Sequence, residues 1–306
     1  MGDSECIPAN FLGLSADAAR YESARIVVLP IPFEATTSYM AGTRTGPDAI
    51  LAASRQVETY DADLDFDLAG APIHTFAYLA PDFSAPEAMT RRIEEVASRL
   101  AADSKWVLGL GGEHSVTLGL VRDAARTVPK PGRKRGGGAG KSRRLSILQI
   151  DAHLDLRDQW EGTPYSHAAV MRRCVEDGHR TVHVGIRNAC REEVEFAKAE
   201  RLPVFWARRC AESDDWIDEA VAALSGPVYV TVDVDGLDPS VIRGTGTPEP
   251  GGLSWWQTMR LFEKVFSRHE VVGADVVELI GGVDPAGEFA AARLAARLAA
   301  LTLKPR

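Results

Sequence analysis

Short apolar runs alternate along the chain with longer stretches of mixed polarity. Arg25-Ile26-Val27-Val28-Leu29-Pro30, Trp106-Val107-Leu108-Gly109-Leu110, Leu145-Ser146-Ile147-Leu148-Gln149-Ile150 and Pro227-Val228-Tyr229-Val230-Thr231-Val232 are too short for buried helices. Their β-branched content predicts strands covered on both faces. Thr181-Val182-His183-Val184-Gly185-Ile186, Pro203-Val204-Phe205-Trp206, Gly273-Ala274-Asp275-Val276-Val277-Glu278-Leu279 and the weaker Pro72-Ile73-His74-Thr75-Phe76 extend the series. Between them the period lengthens. Met89, Ile93, Val96 and Leu100 recur at helical spacing within residues 86–102, and alanines and leucines fill residues 286–303. Thr45-Gly46-Pro47-Asp48 opens another helix, with Pro47 suited to a first turn and Asp48 to its positive end. Strands alternating with helices predict a mostly parallel, eight-stranded sheet with helices on both faces, an α/β fold. No linker divides the series, so residues 1–306 are expected to form a single domain. Residues 1–24 read as a loosely tied arm, and residues 33–46 as a long loop.

Residues 129–144 break the alternation with seven basic and no acidic side chains among glycines. Gly140-Lys141-Ser142 imitates the end of a phosphate-binding loop, but the required first glycine is replaced by Arg135 and a strand follows instead of preceding. A flexible, solvated insertion is the simpler reading, with polyanion docking as the alternative. Elsewhere the composition is that of a soluble globular protein, 45% hydrophobic and 25% charged. A net charge of −8 offers no general attraction to nucleic acid or anionic membrane. No apolar run approaches the ~20 residues of a membrane span. The amino terminus lacks a signal-peptide layout, and four scattered cysteines form no C-x-x-C pair, which together suit a reducing cytoplasm.

The polar residues that matter follow the strands. Asp151-Ala152-His153-Leu154-Asp155 comes directly after one apolar run. If the extended backbone continues, Asp151, His153 and Asp155 share one side. Such a set suits a divalent cation; the bland alternative is a loop whose aspartates cap a helix. His114, Asp233, Asp235 and Glu278 also lie at predicted strand ends, and in a parallel sheet those ends share one edge. His114, His153, Asp151, Asp155, Asp233 and Asp235 would bring two imidazoles and four carboxylates into one cleft. That charge is too great to bury bare, and two divalent cations would neutralise it.

Three ordered motifs carry a resemblance: Gly111-Gly112-Glu113-His114-Ser115, Asp151-Ala152-His153-Leu154-Asp155 and Asp233-Val234-Asp235-Gly236-Leu237-Asp238-Pro239. They resemble the metal-ligand signatures of the ureohydrolases, the arginase/agmatinase family. Gly244-Thr245-Gly246-Thr247-Pro248-Glu249-Pro250-Gly251-Gly252 resembles the agmatinase branch. The resemblance runs from about Arg25 to the carboxyl terminus. It implies a three-layer α/β/α fold around an eight-stranded parallel sheet and two manganese ions, Mn2+, per subunit. His114, Asp151, Asp155 and Asp233 would hold one ion; His153, Asp151, Asp155, Asp233 and Asp235 would share the other. His167 matches the family's proton shuttle, and Glu278 the acid that meets the substrate guanidinium. Gly281-Gly282 replaces larger or more polar residues expected in a wall of the pocket.

The implied reaction cleaves a small guanidino compound to urea and an amine, in a cytoplasmic homotrimer or homohexamer. Leu156-Arg157-Asp158-Gln159-Trp160-Glu161-Gly162 lacks the asparagine-rich arginase pattern, which favours agmatine, giving putrescine, and a place in polyamine biosynthesis. Guanidinobutyrate and arginine remain alternatives, with Arg157 as a partner for a terminal carboxylate. A non-catalytic subunit or scaffold would be marked by a lost ligand, and none of the six is lost. A dinuclear phosphohydrolase would want a basic cluster near the metal motifs, which is missing. Asp158 reads as a helix cap or partner of Arg157, and Asp238 as a turn residue. His74, His179, His183 and His269, with Trp255 and Trp256, read as ordinary packing or surface residues. Deleting residues 131–142 is expected to leave melting temperature and turnover nearly unchanged; a large drop in either would show that the segment packs or works at the site.

Overall fold

The computed structural model describes residues 8–127 and 144–305. Ten strands and nine α-helices are formed by these residues. In chain order they are β1 (Ile26–Ile31), α1 (Gly46–Ser54), β2 (Tyr60–Asp61), β3 (Phe66–Asp67), β4 (Ile73–Thr75), α2 (Pro86–Ala102), β5 (Trp106–Gly111) and α3 (Thr117–Thr127). They continue as β6 (Ser146–Ile150), α4 (Val170–Glu176), β7 (Arg180–Ile186), α5 (Arg191–Ala199), β8 (Val204–Trp206), α6 (Ala207–Glu212) and α7 (Asp215–Ala223). The series ends with β9 (Val228–Asp233), α8 (Trp255–Arg268), β10 (Val271–Val277) and α9 (Pro285–Leu303).

Eight strands form one parallel sheet in the order β4-β1-β5-β10-β9-β6-β7-β8. All eight apolar runs picked out by pattern are its strands. The pair β2 and β3, a short antiparallel ribbon, had no readable period. The sheet is apolar on both faces because alternate residues enter different cores. Val28, Leu148 and Val230 pack in one with Leu261, Phe262 and Leu298 of α8 and α9. Val27, Leu29, Ile147 and Tyr229 pack in the other with Ile93 and Val121 of α2 and α3. This is the three-layer α/β/α arrangement. Among the described residues, no helix is long and apolar enough to cross a membrane.

The strand order places the functional edge. The chain passes from β5 to β6 across the sheet, leaving β10 and β9 to fill the gap between them. The carboxyl ends of β5, β10, β9 and β6 are therefore adjacent at the centre of one edge, where open parallel sheets bind ligands. Gly112, just past β5, is required by close approach. A Cβ there would lie 2.1 Å from the Phe33 carbonyl oxygen, so no larger residue lets residues 33–36 fold down over that edge.

The insertion at residues 129–144 falls outside the described residues except for Arg144, which is exposed. The loosely tied arm is corrected where it is described. Phe11 is fully buried, and Leu12 and Leu14 are buried with it in the core beside α1 and β4. The Phe11 N–H donates to Thr75 Oγ1 at 2.8 Å, and the Leu12 N–H to Ser54 Oγ at 2.9 Å. Phe11, Leu12 and Leu14 follow no helical or strand period, yet they suffice to dock the segment. Phe11→Ala is expected to lower stability by about 3–5 kcal/mol, read as a fall in the urea midpoint; a loose arm would show no change.

Candidate metal centre

The edge of the sheet gathers the predicted residues from four strands. His114 begins a single 3-10 turn after β5, Asp151 follows β6, Asp233 ends β9, and Glu278 follows β10. Asp155 and Asp235 reach the group by turns where continued extension is expected. Extended geometry does not continue through Asp155, whose φ of +52° is a left-handed turn. Asp235 lies in a 3-10 turn, Val234–Gly236, closed by its own N–H on Asp233 Oδ1 at 2.9 Å. Turns, not pleats, aim Asp155 and Asp235.

His114 Nδ1 is the centre of the arrangement. It is buried and has no hydrogen-bond partner, yet it lies 3.1 Å from Asp151 Oδ2, 2.9 Å from Asp155 Oδ2 and 3.4 Å from Asp233 Oδ2. An imidazole nitrogen ringed by three carboxylate oxygens without an orienting hydrogen bond is the convergence expected of donor atoms around a cation. His153 Nδ1 repeats the theme, 3.0 Å from Asp235 Oδ2 and 3.6 Å from Asp151 Oδ1. The two groups that could each hold an ion, His114 with Asp151 and Asp233 and His153 with Asp151 and Asp235, share Asp151. Asp155 joins the first through its contact with His114. All six predicted residues therefore meet.

Hydrogen bonds fix these donors from behind. His153 N–H donates to Asp151 Oδ1 at 2.6 Å, and Ala152 N–H to Asp235 Oδ1 at 3.0 Å. Gln149 Nε2 donates to Asp151 Oδ2 at 2.7 Å, and Gln149 Oε1 meets His183 Nδ1, so buried His183 backs the centre through one residue. His114 Nε2 lies 2.9 Å from Thr231 Oγ1, whose hydroxyl donates to Asp275 Oδ1 at 2.6 Å. That bond commits the Nε2 proton and leaves Nδ1 for the carboxylate side.

The charges respond to this crowding. Burial opposes a charge on His114, but Asp151, Asp155 and Asp233 hold its imidazole well above the usual range. Burial likewise opposes the charge on His153, which Asp235 and Asp151 nevertheless push up to about 12. Burial, then the charge of Asp151, raises Asp155 to about 7. Asp233 and Glu278 are also held well above the carboxylate range, chiefly by burial. Asp151 moves the other way despite its burial, because both imidazoles pull it down.

Beside the cluster lies a cavity of about 250 Å³. His153, His167, Asp233, Asp235 and Glu278 line it from the sheet edge, and Arg157, Trp160, Asn188 and Cys190 line it from the loops. Glu278 Oε1 accepts the His114 N–H at 2.7 Å, and its φ of +65° turns the chain at the cavity. His167 is held by Thr36 and Ser38, which belong to none of the three motifs. Its Nδ1 lies 3.2 Å from Thr36 Oγ1 and its Nε2 3.2 Å from Ser38 Oγ. Burial, with His114 and His153 nearby, lowers His167 to about 4.

Gly281 and Gly282 lie off the cavity: Gly281 N–H donates to Thr45 Oγ1 at 2.9 Å and packs on α1, and Gly282 N–H donates to Glu288 Oε1 at 2.5 Å. Asp158 pairs with Arg173 at 3.5 Å, while Arg157 stacks on Trp160 at 4.5 Å. Asp238 is a loop anchor, accepting from the N–H groups of Ser240, Gly251 and Gly252. Trp255 packs against the core, but Trp256 is exposed. Arg187, unremarked in the sequence, donates to the carbonyls of Gly185, Asp235, Glu249 and Pro250 and ties three loops together behind the cavity.

Comparison with known proteins agrees with this geometry. The family described as "Arginase family" matches residues 24–303. The N(1)-aminopropylagmatine ureohydrolase of Synechocystis sp. is 40% identical over 303 residues, covering 95% of this chain and 93% of that protein. The agmatinase of Pyrococcus horikoshii is 34% identical over 261 residues, 85% of each chain. The crystal structure of agmatine ureohydrolase of Thermoplasma volcanium superimposes with a TM-score of 0.82 at 31% identity, covering 98% of this chain and 96% of that one.

Protons on His153 and His114 compete with any cation for the same nitrogens, so acid should oppose binding. Manganese titrated calorimetrically is expected to release at least one proton per site and to bind more tightly as pH rises from about 6 to 9. Binding that is independent of pH and of buffer ionisation heat would show that these imidazoles are not displaced.

Proposed function

The chain belongs to the arginase family, and from that premise we propose that it is a dinuclear manganese hydrolase cleaving an amine-tailed guanidino compound to urea and an amine. The family is a binuclear-metal family of ureohydrolases, acting on C–N bonds of linear amidines. The observation that carries the reading here is the buried His114 Nδ1 with three carboxylate oxygens about it, joined through Asp151 to a second histidine–carboxylate group. His114, Asp151, Asp155 and Asp233 would hold one ion, and His153, Asp151, Asp155, Asp233 and Asp235 the other. Mixed imidazole and carboxylate donors suit manganese. Bound there, two such ions supply Lewis-acid activation of water and charge stabilisation in the transition state.

The chain's own groups do the rest. Glu278, held by the His114 N–H through one oxygen, has its other oxygen for the substrate guanidinium, where charge-assisted hydrogen bonds orient the reacting carbon. His167, lowered to about 4, is neutral near pH 7 and is a proton acceptor before it is a donor. It takes a proton from the attacking water and returns it to the departing amine nitrogen, which cannot leave as an anion. The favoured substrates are agmatine, giving putrescine, and aminopropylagmatine; the agmatinase of P. horikoshii and the ureohydrolase of Synechocystis support that pair through their similarity. A cytoplasmic homotrimer or homohexamer in polyamine biosynthesis completes the reading, on the family resemblance.

Urea release by the manganese-loaded protein, screened against agmatine, aminopropylagmatine, arginine, guanidinobutyrate and free guanidine, tests the assignment. Turnover confined to arginine or guanidinobutyrate would refute the amine tail. His167→Ala should cut kcat about 10²–10⁴-fold with metal content unchanged. Glu278→Gln should lower kcat and raise KM together, because its charge opposes the guanidinium in ground and transition states alike. Loss of metal in either variant would make that residue a ligand and overturn the division of roles.

A further inference from the structure

Glu113 lies in the Gly111-Gly112-Glu113-His114-Ser115 motif but does not join the carboxylate cluster. It is fully buried, and every neighbour within hydrogen-bond reach is a possible donor. Its Oε2 accepts the N–H groups of Ala35 at 2.7 Å and Thr36 at 2.6 Å, and its Oε1 meets the hydroxyls of Thr36 at 2.9 Å and Ser115 at 2.5 Å. Glu113 thus pins residues 35–36 from beneath. Thr36 in turn touches His167 twice: its Oγ1 accepts the His167 backbone N–H at 3.0 Å and lies 3.2 Å from His167 Nδ1.

Counting lone pairs at Thr36 Oγ1 decides the ring. A hydroxyl has one proton and two lone pairs. The His167 N–H occupies one lone pair, which leaves one proton and one lone pair for Glu113 Oε1 and His167 Nδ1. A carboxylate that receives the surrounding donors takes the proton. Only the lone pair then remains for Nδ1, so Nδ1 must carry the hydrogen. Nε2 is left bare on the side of Ser38, which lines the cavity with His167, whereas Thr36 does not.

We propose that Glu113 and Thr36 are positioning residues that fix His167 as its Nδ1–H tautomer, so that Nε2 alone exchanges protons with the reacting groups. The proposal rests on the assignment of His167 as the proton carrier. A proton arriving at Nε2 makes an imidazolium whose Nδ1–H stays on Thr36, and its departure from Nε2 restores the starting tautomer. The ring therefore resets after each turnover without flipping. This is the part played by an orienting group behind a catalytic histidine, here supplied through a hydroxyl instead of directly by an acid.

Glu113→Gln separates orientation from mere support. Its carbonyl oxygen can still accept the Ala35 and Thr36 N–H groups, but its NH₂ then faces the Thr36 hydroxyl and donates to it. The Thr36 proton must turn toward Nδ1, and the ring changes to the Nε2–H tautomer. Nitrogen-15 NMR of histidine-labelled protein free of paramagnetic ions, with His167→Asn to assign the signal, is expected to show Nδ1–H in the parent and Nε2–H in Glu113→Gln. With manganese and agmatine, kcat is expected to fall about 10–100-fold while KM and metal content hold. Thr36→Val should lose kcat similarly, and Thr36→Ser should restore most of what Thr36→Val loses. An unchanged tautomer in Glu113→Gln, or a kcat loss that accompanies metal loss in both Glu113→Gln and Thr36→Val, overturns the proposal. If the parent turns over no guanidino compound, the assignment of function fails instead, and the NMR result still decides the tautomer.

Discussion

Burying four aspartates at one edge of a sheet is the constraint around which the rest of the structure is arranged. Each carboxylate that loses water must find donors, or it will take up a proton. For Asp233 and Asp235 the fold meets this by dividing the two oxygens of each acid. Asp233 gives Oδ1 to the Asp235 N–H and turns Oδ2 toward His114. Asp235 gives Oδ1 to the Ala152 N–H and turns Oδ2 toward His153. Backbone donors thus satisfy one oxygen of each of these two acids and leave the other directed inward. The parallel sheet makes this possible, because the chain leaves each central strand with N–H groups no longer used by the ladder.

The same constraint explains what was legible in the chain. Strands such as β6 (Ser146–Ile150) and β9 (Val228–Asp233) are buried on both faces, so continuous apolar runs betray them without a partner being known. Three acid-bearing motifs at their ends were legible for a related reason: charge after a buried run has few uses. What stayed hidden depends on backbone torsion or on distance in sequence. Nothing in the letters shows that Asp155 takes a left-handed φ, or that Asp235 sits in a 3-10 turn. Nor can spacing join Thr36 to Glu113 across 77 residues. Phe11 escaped for a third reason, since one aromatic side chain in a short segment has no period.

The loops that close the site are held by polar groups more than by apolar packing. Glu113 grips residues 35–36, and Arg187 grips the backbone of Asp235, Glu249 and Pro250. Thr247, carried on that last loop, reaches Asp235 Oδ2 at 3.3 Å. Such bonds are directional, so they fix position where a greasy contact would allow sliding. Burial of the anchor matters too. With little water to compete, Glu113 has no cheap alternative to the donors it holds.

This division separates the carboxylate cluster from the loop side of the cavity. The cation-facing end of the cavity is built from strand ends and from turns anchored on them, so a change there disturbs the sheet edge. The far end is built from Arg157, Trp160, Asn188 and Cys190, which stand on connecting segments. Arg157 lies over Trp160, and Asn188 Nδ2 donates to Glu249 Oε1 at 2.5 Å while its backbone pairs with His153. The sheet edge thus fixes the histidine–carboxylate cluster, while the loop side of the cavity rests on contacts between connecting segments.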